Sequence, residues 1–211
     1  LRQGPDVVVH TAYRLSGPEM ESAIVRGSHS VALNAHRCGA RLIHLSTDLV
    51  FDGEQGAPYR EEDEPRPVSP YGAAKARAEE LVRQLHPGAL LVRTSLLYGK
   101  AEPGPQELLA FGDADFYVDE IRCPTLVGEL AAALLELARL DAAGPLHVAA
   151  PDAVSRYELA RRLRAAHGLD PDEVRGVPSP RGGRARNVAL DSSRAAGLLA
   201  RRLRGLREVV K

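Results

Sequence analysis

The fold and the chemistry of this 211-residue chain turn on Leu42-Ile43-His44-Leu45-Ser46-Thr47-Asp48 and, after an interval rich in Gly and Pro, Ser69-Pro70-Tyr71-Gly72-Ala73-Ala74-Lys75. The first segment reads as a buried strand, Leu42 to Leu45, that ends in two hydroxyls and a carboxylate. The second reads as a helix start. Lys75 follows Tyr71 by four positions, so a helix opening near Pro70 sets phenol and ammonium on one face, one turn apart. Six tyrosines and three lysines (Lys75, Lys100, Lys211) would give roughly 0.09 such pairs by chance in a chain of this length.

N-terminal to this stretch, Pro5-Asp6-Val7-Val8-Val9-His10 reads as a buried, β-branched strand. After Thr11-Ala12 and the Ser16-Gly17 break, Pro18 suits the first helical position. Met20, Ile24, Val31 and Ala35 then recur at helical spacing until Gly39. Strand, helix and strand make a βαβ unit, whose right-handed crossover implies a parallel sheet and an α/β fold.

On the C-terminal side, Phe51 to Ser69 reads as a loop, with Glu61-Glu62-Asp63-Glu64 a solvated acidic run. A helix is expected from Pro70 to Leu85, stopped by Pro87-Gly88, and a third strand from Ala89 to Val92. The Gly- and Pro-broken segment Gly99 to Arg122 carries a short helix near Gln106 to Ala110 and a strand around Phe116 to Val118. Thr125 to Leu140 predicts an amphipathic helix, Leu146 to Ala149 a strand, and Ser155 with Glu158 a capping box for a helix ending at Gly168.

Charge balances at 28 basic against 28 acidic residues, so no global field attracts nucleic acid or a membrane surface. The C-terminal part is locally basic: Arg181, Arg184, Arg186, Arg194, Arg201, Arg202, Arg204 and Arg207 stand against Asp191 and Glu208. Such a run is a solvated basic face or a set of planar cations suited to a diphosphate. Cys38 and Cys123 are far apart and lack metal-ligand spacing, so neither a disulfide framework nor a metal site is expected. No apolar run reaches the roughly 18 residues of a membrane span, and no signal-peptide pattern opens the chain. The expected setting is therefore reduced and cytoplasmic.

In an open parallel sheet, ligands bind beyond the carboxyl ends of the strands. Thr11-Ala12 and Ser46-Thr47-Asp48 both fall there, with Tyr71 and Lys75 on the following helix. These groups suit reduction of a carbonyl. Tyr71 would be the general acid, and Lys75 would bring its pKa of about 10 toward the working range. Thr47 would hydrogen-bond the carbonyl oxygen, and a cofactor must bring the hydride. The plainer alternative is a helix-face tyrosine beside a solvated lysine, with Thr47 capping backbone.

Leu45-Ser46-Thr47-Asp48-Leu49-Val50-Phe51-Asp52-Gly53, Pro58-Tyr59, Pro67 to Lys75 and Glu79-Glu80 together resemble the extended short-chain dehydrogenase/reductase family. The dTDP-4-dehydrorhamnose reductase type is the nearest subgroup. Arg93-Thr94-Ser95 with Tyr98-Gly99, Cys123-Pro124-Thr125 and Asn187-Val188-Ala189-Leu190-Asp191 follow in the order of that subgroup's later landmarks. The resemblance implies a Rossmann-like parallel sheet in residues 1–98 that binds NADPH or NADH. Residues 99–211 would mainly bind a nucleotide sugar, with some segments returning to the first part. It implies Thr47, Tyr71 and Lys75 as the catalytic set, Thr11, Ala12, Thr94, Tyr71 and Lys75 at the cofactor, and Thr47, Val50, Tyr71, Leu96 and Arg186 at the substrate. Reduction of a nucleotide-linked 4-keto-deoxysugar is the leading reading. A sugar-nucleotide epimerase or dehydratase, and a non-catalytic subunit of the same fold, are the alternatives; a homodimer is compatible with any of them.

Three departures stand out. No glycine-rich G-x-G-x-x-G turn occurs, although such a turn cradles the pyrophosphate in this fold. The chain opens on what resembles the family's fourth strand, so about two βα units, some 50 to 60 residues, are expected ahead of it. Leu96 and Arg26 stand where the subgroup often carries tryptophan and asparagine.

Overall fold

The computed structural model describes residues 4–99, 102–180 and 182–210. Strand β1 (Val7–His10), helix α1 (Met20–Arg37) and strand β2 (Arg41–Thr47) form the expected βαβ unit. A 3-10 turn (Asp48–Val50) and a long loop lead to α2 (Pro70–Leu85) and β3 (Leu90–Thr94). Short elements follow: β4 (Leu97–Tyr98), α3 (Pro105–Phe111), β5 (Asp115–Tyr117), β6 (Ile121–Arg122) and β7 (Thr125–Leu126). The chain continues through α4 (Val127–Leu137), β8 (Gly144–His147), β9 (Val154–Ser155), α5 (Arg156–Ala166), β10 (Arg175–Val177), α6 (Ser193–Leu198) and α7 (Leu206–Val209).

The main sheet is parallel, in the order β1-β2-β3-β8. On one face Leu42 and Leu91 pack with Ala32 and Ala35 of α1 and Val82 of α2. On the other, Ile43, Leu90, Val92 and Leu146 pack with Leu130, Leu134 and Leu137 of α4 and Ala195 of α6. Thus β8, although distant in sequence, belongs to the main sheet, and α4 and α6 pack on it. A second apolar cluster, including Phe116, Leu159, Leu163, Val174 and Leu206, gathers the short strands and α5 and α7.

Several boundaries differ from expectation. Strand β1 is not deeply buried; it is an edge strand, and Val9 keeps 38% of its surface open. Helix α1 starts at Met20, with Pro18 in the preceding turn. Thr125 and Leu126 do not join the helix that follows, because they pair with Leu97 and Tyr98, a long-range ladder that overrides their local pattern. Strand β8 lies two residues earlier than expected. Ser155 accepts from Glu158 N at 3.0 Å, but the Glu158 carboxylate is spent on Arg162 and Arg207, so only half a capping box forms. The acidic run is not wholly solvated either: Glu61 Oε1 accepts from His147 N at 3.0 Å.

Helix α2 is the element that matters most for the site. Ser69 caps it, its hydroxyl accepting from Gly72 N at 3.1 Å, and Pro70 occupies the first turn, where no amide is missed. Gly72 touches the 3-10 turn so closely that a Cβ there would lie 2.1 Å from Leu49 O. Farther along α2, Glu79 grips Arg93 of β3 in a buried, two-pronged ion pair at 2.9–3.2 Å. The Arg93 guanidinium also lies 5.1 Å from the Phe51 ring centroid.

Two stability predictions follow from α2. Gly72→Ala must push the helix off the 3-10 turn, so urea unfolding should show a loss of about 1–3 kcal/mol. Glu79→Ala leaves Arg93 buried and uncompensated and should cost about 3–5 kcal/mol, whereas Glu80→Ala, which removes an exposed partner of Arg83, should cost less than about 1 kcal/mol.

Candidate active site at the strand ends

Thr47 and Thr94 are partners in the β2–β3 register, so both hydroxyl-bearing residues close the carboxyl edge of the sheet. Thr47 Oγ1 accepts from Leu49 N at 3.2 Å and donates to Asp48 Oδ1 at 3.1 Å, anchoring the 3-10 turn. Thr94 Oγ1 and Ser46 Oγ are buried and have no hydrogen-bond partner among the described residues. Unpaired buried hydroxyls of this kind are costly and unusual in a folded protein.

Lys75 is buried at 3% exposure, and its ammonium donates to the carbonyl of Leu45 at 2.6 Å. Burial brings its pKa down to about 8, with the Glu79 carboxylate pulling weakly the other way. The two residues that the i, i+4 spacing pairs on α2 are not hydrogen-bonded to each other. Tyr71 is half-buried beside Ile24, Ala74 and Ala78. Its phenol is pushed above the ordinary tyrosine range by burial first, then by the Asp48 and Tyr13 charges. The expected lowering by Lys75 is therefore absent from this arrangement, and Tyr71 is held firmly protonated. The signal missed in the sequence was the charge at Asp48, buried and brought close by the 3-10 turn.

Asp48 is the hub behind the edge. It accepts from Ser95 Oγ at 2.6 Å, and that hydroxyl in turn accepts from Cys123 N at 3.1 Å. Burial raises its carboxyl pKa, opposed by the nearby Arg122 charge and by the hydroxyl bonds. Arg122 Nε stands 4.0 Å away, while its two Nη atoms each donate at 2.8 Å to the carbonyls of Arg186 and Ala185. Glu120, fully buried, takes Arg184, with Arg122 at 3.6 Å and Arg156 at 4.0 Å.

The remaining expected residues take varied places. Thr11 and Ala12 are exposed just after β1. Val50 is fully buried with Phe51, Tyr59 and Cys123 and meets no open surface in this arrangement. Leu96 is half-buried at the margin of the second cluster. Arg186 is exposed, 4.0 Å from Asp119, and Arg26 is exposed on α1. Four of the seven described arginines of the basic tail are paired closely with carboxylates: Arg184 with Glu120, Arg202 with Glu208, Arg204 with Glu129, and Arg207 with Glu158. Arg181 and Lys100 lie outside the described residues. The pair His10 and His44, which no spacing rule flags, meets under the edge at 3.0 Å between Nδ1 atoms.

Two surface hollows lie elsewhere. One is acidic, around Asp52, Asp63 and Glu64; the other, of about 520 Å³, is lined by Leu190, Leu199 and Leu203 among others. Neither is lined by Thr47, Tyr71 or Lys75. Among the described residues no group of three metal-ligating side chains comes together, and no helix is long and apolar enough to cross a membrane.

Comparison with known proteins identifies the family. The chain is 37% identical over 196 residues to dTDP-4-dehydrorhamnose reductase of Mycobacterium tuberculosis, covering 85% of this chain and 64% of that protein. It is 33% identical over 214 residues to bovine methionine adenosyltransferase 2 subunit beta, covering 90% of this chain and 64% of that protein. The chain thus spans less than two thirds of the length of these relatives. The crystal structure of Bacillus anthracis dTDP-4-dehydrorhamnose reductase in complex with NADP superposes with a TM-score of 0.83 at 25% identity, covering 98% of this chain and 79% of that one. With the parallel sheet, the strand-end hydroxyls and the Tyr71–Lys75 helix in place, and with the family model described as RmlD substrate binding domain matching residues 2–211, the chain belongs to the RmlD substrate binding domain family.

Proposed function

We propose that the protein bearing this chain is an NAD(P)H-dependent reductase of the 4-keto group of a nucleotide-linked deoxysugar, with dTDP-4-dehydrorhamnose the leading candidate. The observation that supports it is the position of Thr47 at the end of β2 and of Tyr71 and Lys75 in the first turns of α2, in a chain similar to proteins named for that reduction. The division into a cofactor part, residues 1–98 with later segments returning, and a mainly substrate-binding part, residues 99–211, belongs to the same proposal.

When bound, NADPH or NADH supplies the hydride that no side chain carries. Thr94, with Thr11, Ala12 and Lys75, would hold its nicotinamide-ribose end, and the unpartnered hydroxyls of Thr94 and Ser46 would offer it hydrogen bonds if that edge opens on binding. A pyrophosphate cradle has no counterpart in this sequence, which lacks the glycine-rich turn. Tyr71 gives its proton to the carbonyl oxygen as that oxygen becomes an alcohol. Its raised pKa keeps the proton in place at neutral pH, and stabilising the phenolate left behind requires the Lys75 ammonium to turn from the Leu45 carbonyl toward the phenol when substrate and cofactor are bound. Thr47 turns its hydroxyl from Asp48 to the substrate oxygen. Leu96 and Arg186 would line the sugar nucleotide, with Arg186 toward its diphosphate, and Val50, fully buried here, would join them only if the 3-10 turn opens.

A second reading is favoured by one observation, the 33% identity to a protein named as a subunit of another enzyme. On that reading the intact protein captures a stable partner and leaves NADPH unoxidised when offered the keto-sugar. An epimerase or dehydratase would convert the sugar with no net change in the cofactor.

In stopped-flow assays of NADPH oxidation by the intact protein, Tyr71→Phe should lower kcat by about 10²-fold or more with little change in KM. Unchanged turnover in that variant would sink the assignment. The pH profile carries a sign of its own. Lys75 must be charged to stabilise phenolate, and its pKa near 8 means the ammonium is lost as pH rises through about 8, well below the 10.5 of an ordinary lysine. The basic limb of kcat should therefore fall near pH 8, and Lys75→Arg, whose charge persists, should abolish that limb.

A further inference from the structure

A hydroxyl group has one hydrogen to give and two lone pairs that accept. At Thr47 two of these three places are taken: a lone pair accepts from Leu49 N at 3.2 Å, and the hydrogen goes to Asp48 Oδ1 at 3.1 Å. What Thr47 has left, on a residue 8% exposed at the end of β2, is a lone pair. The direction of that hydrogen follows from the surroundings of Asp48. Ser95 Oγ accepts from Cys123 N at 3.1 Å and gives its hydrogen to Asp48 Oδ2 at 2.6 Å. Arg122 Nε stands 4.0 Å from the same Oδ2. Two hydroxyl donors and a guanidinium favour the carboxylate, which can only accept.

We propose that Asp48, aimed by Ser95, is a positioning residue that sets the polarity of Thr47: while Asp48 holds its hydrogen, Thr47 meets the substrate oxygen as an acceptor. The use of this polarity rests on the reductase reading, but the polarity itself does not. A ketone oxygen has no hydrogen to offer, so Thr47 serves it only by giving up the bond to Asp48. The alcohol formed by reduction has one, and donates it to Thr47 with that bond intact. The edge therefore favours the alcohol over the ketone by one hydrogen bond, and the equilibrium between the two bound forms is drawn toward product. Asp48→Asn reverses the arrangement. The Ser95 hydrogen still requires an acceptor, which turns the amide oxygen toward Ser95 and Arg122. The amide nitrogen then faces Thr47 and donates to its oxygen. With Leu49 N and that nitrogen on its two lone pairs, Thr47 has its hydrogen free for the ketone.

The test has an arm that needs no turnover. In NMR spectra of the intact Asp48→Asn protein, the side-chain amide protons at position 48 should show nuclear Overhauser contacts to the Thr47 Cβ and methyl protons and none to the Ser95 Cβ protons. The opposite pattern overturns the proposal. The second arm is equilibrium binding in dead-end complexes: dTDP-4-dehydrorhamnose with oxidised cofactor, and the 4-alcohol derived from it with reduced cofactor. Asp48→Asn should raise the ratio of alcohol to ketone dissociation constants about tenfold. In a Thr47→Val background the same substitution should move that ratio less than about twofold. Loosened packing alone weakens both sugars together, so a constant ratio, or a change that persists without the Thr47 hydroxyl, overturns the proposal. Should Asp48→Asn fail to fold, the wild type decides. In an equal mixture of H₂O and D₂O, Thr47 ¹³Cβ should then give two lines, the mark of a hydroxyl hydrogen held against exchange, and a single averaged line overturns the proposal. A protein with the expected contacts that binds neither sugar would sink the reductase reading while leaving the polarity of Thr47 standing.

Discussion

The contact on which the site depends is between the first turn of α2 and the 3-10 turn after β2. Because residue 72 has no side chain, the helix start presses against the Leu49 carbonyl, and the backbone there leaves no room for a Cβ. That approach places Tyr71 beside the buried charge of Asp48 and lets Lys75 reach back to the Leu45 carbonyl. The Glu79–Arg93 pair pins the middle of the helix to β3. A helix held at three points along its length presents its phenol and ammonium in a fixed relation to the strand end, which is what a proton donor needs more than raw acidity.

Behind that edge the protein buries much charge, and nearly all of it is matched. Asp48, Glu120, Arg122 and Arg93 are each at or below 5% exposure, yet each is met by hydroxyls, carbonyls or opposite charge. Isolated, any of these would cost several kcal/mol, so the arrangement contributes a defined geometry more than net stability. It also joins the parts of the chain. Arg122 ties the end of β6 to the carbonyls of residues 185 and 186, and Asp48 ties the main sheet, through Ser95, to the backbone at Cys123. Gly53, with φ of +83°, lets the loop after Phe51 dock on that same segment, where a Cβ would lie 2.6 Å from Arg186 N.

What the sequence made legible follows physical range. Helix α2 was readable from Pro70 to about Leu85 because Pro70 and Pro87-Gly88 are local signals and Ala74, Ala78, Leu81 and Leu85 repeat at helical spacing, although Val82 rather than Leu81 is the buried residue of its last turns. The βαβ unit and the strand-end position of Thr47 were readable for the same reason. The start of α4 was not, since Thr125 and Leu126 take their conformation from β4, nearly 30 residues away in sequence. The direction of the Tyr71 shift was hidden too. Spacing gives which groups share a helix face, but a pKa follows burial and the charges that the tertiary fold brings in, here Asp48. The His10–His44 pair shows the same limit: two histidines 34 residues apart acquire meaning only when register sets them opposite each other.

The arginine-rich tail has a consequence for how the molecule meets others at a distance. Read as a linear string it is a cationic patch; folded, most of its described charges face carboxylates from α4, α5, the segment before β6 and the tail itself. A field made of close, opposite charges dies away within a few ångströms, so polyanions passing at a Debye length of about 8–10 Å would meet little pull. The arginines act as stitching between segments. An encounter with a charged ligand would be governed by short-range fit at the sheet edge instead of by long-range steering.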